Sequence, residues 1–243
     1  MNLNIPYMET DNKLLNDAYR IAAGDIVGNI VYYQNGLLTE EKPCMIAGLD
    51  YNTPWTRDTA INIWNALSIL SPEVSKNTLL AVLEEEEGNI YIGGQYWDSI
   101  IWMIGAREYC RFHKDDNFYR LAFEAGRNSV HRLEEDEFDE EDGLFRGPAV
   151  YGDGIAAYPD KYSKCPNQGS GILEWVDYPG NPVYPKGYGI PMKALSTNCV
   201  YFKAYEILAE MAHALGEPAK EFEEKAAAMK KAINKNFWNE KRG

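Results

Sequence analysis

No run of eighteen or more apolar residues occurs in the 243 residues, so no helical membrane span is expected. The opening stretch MNLNIPYMETDNK has neither a basic start nor an apolar core, so no signal peptide is read and the compartment is expected to be cytoplasmic. Cysteine is scarce: Cys44, Cys110, Cys165 and Cys199 stand far apart, with no CxxC pair to hold zinc or form a redox dithiol. They are read as free, mostly buried thiols of a reducing compartment. The three histidines, His113, His131 and His213, are scattered and suggest neither a metal site nor a catalytic triad. Basic residues are outnumbered 24 to 37, a net charge of −13, which disfavours nucleic acid and anionic membrane as partners. Gly93-Gly94 and Gly152-Asp153-Gly154 lack the strand-to-helix context of a phosphate loop. No cofactor and no metal is expected.

What is present is apolar and aromatic. An apolar content of 45% is that of a globular chain. The 17 tyrosines and 6 tryptophans fit either a large core or a set of flat platforms for sugar rings, and composition does not separate the two.

The helical period dominates. Leu14, Ala18, Ile21 and Ala22 mark a first helix over roughly 10–32. A second runs over about 57–70, with Ile61, Trp64 and Leu67 on one face. Ser71-Pro72, a cap residue followed by proline at the first helical position, opens a third to about Leu83. A fourth covers about 95–113 and is apolar nearly all round at Ile100–Ile104, which implies burial on more than one side. A fifth starts at Asp116, with Phe118, Leu121, Ala122 and Ala125 as its stripe. A sixth starts near Ser196, carries Phe202, Tyr205, Leu208 and Ala209, and ends at Gly216. Pro218 opens a seventh with the stripe Phe222, Ala226, Met229, Ile233 and Phe237.

Short and long connections alternate. The long ones, roughly 33–56, 84–94 and 134–195, precede the second, fourth and sixth helices. Short links make antiparallel hairpins, so the long links belong at one end of the helices, where sites usually sit. The expected fold class is all-α, an (α/α)6 toroid of helical hairpins in a single domain over 1–243. Seven helices do not close a ring of twelve. The remainder is expected either beyond Gly243, on another chain or by self-association, or else the fold is a smaller open bundle; a partial toroid is favoured.

Chemistry gathers at those helix starts. Trp55-Thr-Arg57-Asp58 places a guanidinium donor beside a carboxylate acceptor, a pair suited to neighbouring sugar hydroxyls. The plain alternative is an acid at a helix start with a surface arginine. Trp97-Asp98, after a glycine turn, repeats the arrangement with the same alternative. The longest connection holds Asp153 and the block Glu174-Trp175-Val-Asp177. Glycoside hydrolysis needs one carboxylic acid to protonate the leaving oxygen and a carboxylate across the ring, and the acid needs a pKa raised by burial. Glu174 and Asp177 flank Trp175 in surroundings where that could be arranged; ordinary loop acids are the alternative. The acidic clusters Glu84–Glu87 and Glu134–Asp142 miss the calcium-loop spacing and are read as solvated.

Three segments carry a resemblance. WTRDTAINIWNALSIL resembles the WTRD segment of glucoamylases and the W-x-RD segment of bacterial glycogen-debranching amylo-α-1,6-glucosidases. GGQYWDSIIWMIGAREY is similar to the debranching-type segment ahead of a buried inner helix, and EWVDYPGNPVYPKGYGIP to the T-W-M-D-A block and its "G-x-P-V-x-P-x-x-G" continuation. The segments stand in the family's order. The resemblance implies an (α/α)6, or six-hairpin, glycosidase: an inverting, exo-type hydrolase of an oligosaccharide. It implies Asp177 as general acid, with Arg57 and Asp58 gripping the sugar, Trp97 and Asp98 lining the same pocket, and the base on a later hairpin beyond Gly243. Trp55, Asp153, Glu174 and Trp175 complete the expected sugar-binding set. The chain departs from the block at Glu174, Val176 and Tyr178, which leaves the sugar open. Rival readings are a non-catalytic carbohydrate-binding fragment, a phosphorylase, which would need a basic phosphate pocket that these loops lack, and a helical scaffold, which would show a fixed repeat.

Overall fold

The computed structural model of the chain describes residues 5–48, 50–94, 97–150 and 192–242. Asp153, Glu174, Trp175 and Asp177 lie outside them. The elements in chain order are α1 (Lys13–Gly28), β1 (Ile30–Tyr33), β2 (Lys42–Met45), α2 (Thr56–Asn62), a π-helical turn (Ile63–Leu67), α3 (Ser68–Leu70), α4 (Pro72–Ala81), β3 (Leu83–Glu86) and β4 (Asn89–Ile92). They continue with α5 (Trp97–Phe112), α6 (Asp116–Glu137), β5 (Phe138–Asp139), β6 (Leu144–Phe145), α7 (Leu195–Leu215) and α8 (Lys220–Phe237). The fold class is all-α and consistent with part of an (α/α)6 toroid. Two compact units share the chain: Met1–Gly94 with Ile101–Ala125, and Gln95–Ile100 with Gly126–Gly243.

The first unit has its core where α2, α4 and α5 meet. Gly105 packs so closely on α2 that a Cβ there would stand 2.8 Å from the Ala60 Cα. That contact turns Ala60, Ile63 and Leu67 inward, and Trp64 stays half exposed, so the buried face is not the expected Ile61–Trp64–Leu67 line. Trp102 is fully buried, and its indole N–H donates to the Leu79 carbonyl at 3.3 Å. Asp115 caps α6 by accepting from the Phe118 N–H at 3.0 Å, and its other oxygen pairs with Lys76 at 2.5 Å. Pro72 occupies the first turn of α4 as expected, but the Ser71 side chain makes no capping hydrogen bond.

The long connections before α2 and α5 are built on β-hairpins that the helical period did not reveal. β1 pairs with β2 from Ile30↔Met45 to Tyr33↔Lys42. β3 pairs with β4 through a two-residue turn at Glu87 and Gly88, both with positive φ as a type I′ turn requires. The run Glu84–Glu87 is therefore strand and turn rather than loop, and all four glutamates are exposed, in line with their reading as solvated. Gly36 sits at φ +60 where a Cβ would meet three backbone oxygens of residues 80–83 at 2.6–2.7 Å. Beside it the Leu37 N–H donates to the Leu80 carbonyl, closing one of the open acceptors at the end of α4.

α1 is capped by Asn12, whose side chain accepts from the Leu14 and Leu15 N–H groups. It stops at Gly28 because the chain enters β1, and none of its residues is buried. The stripe expected to face a core leaves Leu14 80% and Ile21 65% exposed.

In the second unit α7 and α8 form an antiparallel hairpin. Gly216 closes α7 in the left-handed conformation, and the Glu217 N–H donates back to the Ala212 carbonyl at 2.8 Å. The stripe of α8 is buried at Phe222, Ala226 and Met229, as expected. Asn198, fully buried near the start of α7, pairs with both backbone groups of Phe145, at 2.8 and 3.1 Å. The Phe145 ring stacks on Tyr201. The Gly147 N–H donates to the Met192 carbonyl and the Val150 N–H to the Ser196 hydroxyl. The two sides of the connection ahead of α7 are thus tied together.

Of the cysteines described, all free, Cys44 is buried, Cys110 half-buried and Cys199 exposed, so burial is less general than expected. Burial pushes the Cys44 thiol up to about 12. Among the described residues no helix is long and apolar enough to cross a membrane.

Candidate functional site

The start of α2 gathers a donor, an acceptor and aromatic rings within one turn of chain. Trp55 is the capping residue in extended conformation, so Thr56, Arg57 and Asp58 form the first turn. The Thr56 hydroxyl donates to the Gly93 carbonyl at 2.9 Å and fixes this turn to the end of the β3–β4 hairpin. Gly93 tolerates no side chain there, since a Cβ would meet the Glu84 carboxylate at 2.6 Å and the Val82 carbonyl at 2.8 Å.

Asp58 stands in the first turn, where the helix dipole favours a negative charge. It does not cap the helix. Its nearest cation is Arg57, with Nε 3.7 Å from Oδ2, a charge contact longer than a hydrogen bond. The Arg57 side chain is 16% exposed and that of Asp58 34%. Beside them Trp55 and Tyr51 meet edge to face at 5.7 Å, and both rings are substantially exposed, at 41% and 50%. An exposed ring pair next to a donor–acceptor pair can hold a ligand that is apolar on its ring face and hydroxylated at its rim. The π-helical turn follows at once, a widening that frequently accompanies functional sites.

In the second unit, Trp97 and Asp98 occupy the first turn of α5, and both are buried. Trp97 is therefore enclosed where Trp55 is open. At the end of α6, Glu137 is 94% buried by its 6% exposure, and its Oε2 has no hydrogen-bond partner. Burial first, and the charge of Asp136 second, push its carboxyl up to about 8 against the pull of Arg146. Its backbone carbonyl accepts from the Arg146 N–H at 2.9 Å.

The acidic run from Glu134 to Asp142 is organised, not merely solvated. Lys193 bridges Asp139 at 2.7 Å and Asp142 at 2.6 Å, and Arg146 reaches Asp139 at 3.1 Å. These partners, with Lys193 foremost, hold Asp139 below its usual carboxylate range.

Trp55, Arg57 and Asp58 are thus brought together at one helix start, and Trp97 and Asp98 share another. Tyr51 and Glu137 were missed by the sequence reading. Glu137 lies seven residues after buried Val130, on the apolar stripe of α6, and that register was the available signal. Tyr51 stands four residues before Trp55 with no periodic pattern to mark it.

Residues 150–243 match the family model described as bacterial alpha-L-rhamnosidase 6 hairpin glycosidase domain. Similarity to a six-hairpin glycosidase thus covers α7, α8 and the positions of Asp153, Glu174, Trp175 and Asp177. The matching description is of a rhamnosidase domain, whereas the sequence motifs pointed to debranching enzymes and glucoamylases; the six-hairpin class is common to both. No curated protein and no solved structure matches the chain.

Proposed function

We propose that this chain is part of an inverting, exo-type glycoside hydrolase acting on an oligosaccharide. The observation that carries the proposal is the similarity of residues 150–243 to a six-hairpin glycosidase domain, a stretch that includes Asp177. In this reading Asp177 donates a proton to the leaving glycosidic oxygen as the bond to the anomeric carbon breaks. A water activated by a carboxylate on the opposite face completes an inverting displacement. In this reading no residue of the chain is assigned as that base, and a later hairpin of the toroid supplies it.

Trp55 offers a ring face to the sugar, with Tyr51 bracing it from the edge. Arg57 donates to and Asp58 accepts from adjacent hydroxyls. At the start of α5, in the second unit, Asp98 is the candidate for a further sugar contact, and Trp97 acts by holding the helix start rather than by touching sugar. Asp153, Glu174 and Trp175 complete the substrate contacts. The protein is read as cytoplasmic.

The test is hydrolysis of nitrophenyl α-L-rhamnosides, α- and β-glucosides and malto-oligosaccharides by this chain and by a form extended past Gly243. Activity is expected in the extended form and not in this chain alone, and Asp177→Asn in the extended form should lower it about 10²–10⁴-fold through loss of general acid catalysis. Near wild-type turnover in that variant would reject the assignment. The second reading, a carbohydrate-binding chain without catalysis, rests on the exposed Trp55–Tyr51 pair. It predicts sugar binding that Trp55→Ala weakens about 5- to 30-fold, the equivalent of about 1–2 kcal/mol of ring contact, with no turnover in any form.

A further inference from the structure

A second cluster of titratable side chains lies within the second unit, on α6, α7 and α8. His131 Nε2 stands 3.0 Å from Glu221 Oε1. Lys225 Nζ sits 2.7 Å from Glu134 Oε2 and 2.6 Å from the same Glu221 oxygen. The Tyr205 hydroxyl donates to the other oxygen of Glu134 at 2.5 Å. One donor atom each from His131, Glu134 and Glu221 lie within 4.8 Å of one another. They border a cavity of about 640 Å³ whose apolar walls include Phe138 and Met229.

We propose that His131, Glu134 and Glu221 form a binding site for a divalent transition-metal ion of the zinc class, with Lys225 holding the cation position until the ion displaces it. Four observations carry this. His131 and Glu134 are three residues apart on α6 and so share a face, while Glu221 approaches from α8. One imidazole and two carboxylates form a nitrogen–oxygen set that suits zinc and its neighbours better than calcium or magnesium. Tyr205 fixes one oxygen of Glu134 and leaves the other turned to the cation, the orienting role that outer partners play around bound metals. The ammonium of Lys225, within hydrogen-bond distance of both carboxylates, marks the point at which this cluster stabilises positive charge.

Donor atoms around a tetrahedral zinc are about 3.3 Å apart, given metal–ligand distances of about 2.0–2.1 Å. The His131–Glu221 separation already meets this, and the rest needs a contraction of about 1.5 Å at most, within reach of glutamate rotamers. The proposal is independent of the glycosidase reading and survives or fails without it.

The test is Zn²⁺ titration of the whole chain by calorimetry and by competition with a chromophoric chelator, with folding of each variant checked by circular dichroism in chelator. Saturable binding of one ion is expected. His131→Ala should weaken it at least about tenfold, Lys225→Met should tighten it about tenfold, and Tyr205→Phe should weaken it about tenfold. His213→Ala, which removes a histidine paired instead with Glu223, should leave it unchanged. Absence of saturable binding, a His131→Ala affinity equal to wild type, or weaker binding in Lys225→Met would overturn the proposal.

Discussion

Replacing Glu137 by glutamine should make the protein more stable at alkaline pH and leave it nearly unchanged at acid pH. The carboxyl is almost wholly enclosed at the end of α6, with one oxygen lacking any hydrogen-bond partner. Burial raises its pKa from 4.5 to about 8, so the folded state holds a proton that the unfolded state releases near pH 4.5. Its contribution to stability is complete below about 4.5, shrinks as pH rises and is lost by about 8. At about 1.36 kcal/mol per unit, the three units between pH 5 and 8 amount to about 4 kcal/mol. Glutamine has the shape of the protonated acid and no charge to bury, so the variant should lack this slope. Urea unfolding followed by tryptophan fluorescence at constant ionic strength, at pH 5 and 8.5, measures both proteins. A wild-type stability that does not fall relative to the variant across this range would refute the reasoning. So would a glutamine variant destabilised equally at both pH values, because the carboxylate would then be stabilised by Arg146 despite its burial.

Two further perturbations test the scaffold. Gly36→Ala forces a Cβ within 2.6–2.7 Å of three carbonyl oxygens at positive φ, and should cost about 2–4 kcal/mol, read as a lower midpoint in thermal or urea unfolding. A midpoint unchanged from wild type would mean that the β1–β2 loop does not hold this position. Asn198→Ala strands both backbone groups of buried Phe145 and should cost about 2–3 kcal/mol. Hydrogen exchange at the Phe145 amide should rise with it, and unchanged protection there would contradict the bond's role.

The helices were legible because each carries its own signal. Phe222, Ala226 and Met229 repeat at the helical period and are buried on α8, and Gly216 followed by Pro218 marks the break before it. The hairpins were not legible. Their strands are only two to four residues long, too short for an alternating pattern, and β3 is largely a run of glutamates. α1 misled in the other direction, since its apolar stripe follows the rule for a buried face yet stands exposed. The candidate sugar site divided similarly. Trp55-Thr-Arg57-Asp58 is contiguous and could be read directly, but nothing local separates exposed Trp55 from enclosed Trp97. The cluster of His131 with Glu221 joins positions 90 apart, and no local spacing connects them.

By itself, then, the sequence determined the all-α class, the approximate place of each helix and the residues gathered at the helix starts, while the strands β1 and β3 took over the expected ends of the first and third helices. Helix periodicity, caps and breakers act within a few residues of chain and need no partner. Only the tertiary structure decided which rings are open, which carboxyl is buried with an unsatisfied oxygen, and which charges meet. Those properties depend on desolvation and on distances between side chains far apart in sequence. Packing Gly105 on Ala60 and pairing Asn198 with Phe145 set those distances, and no local pattern encodes them.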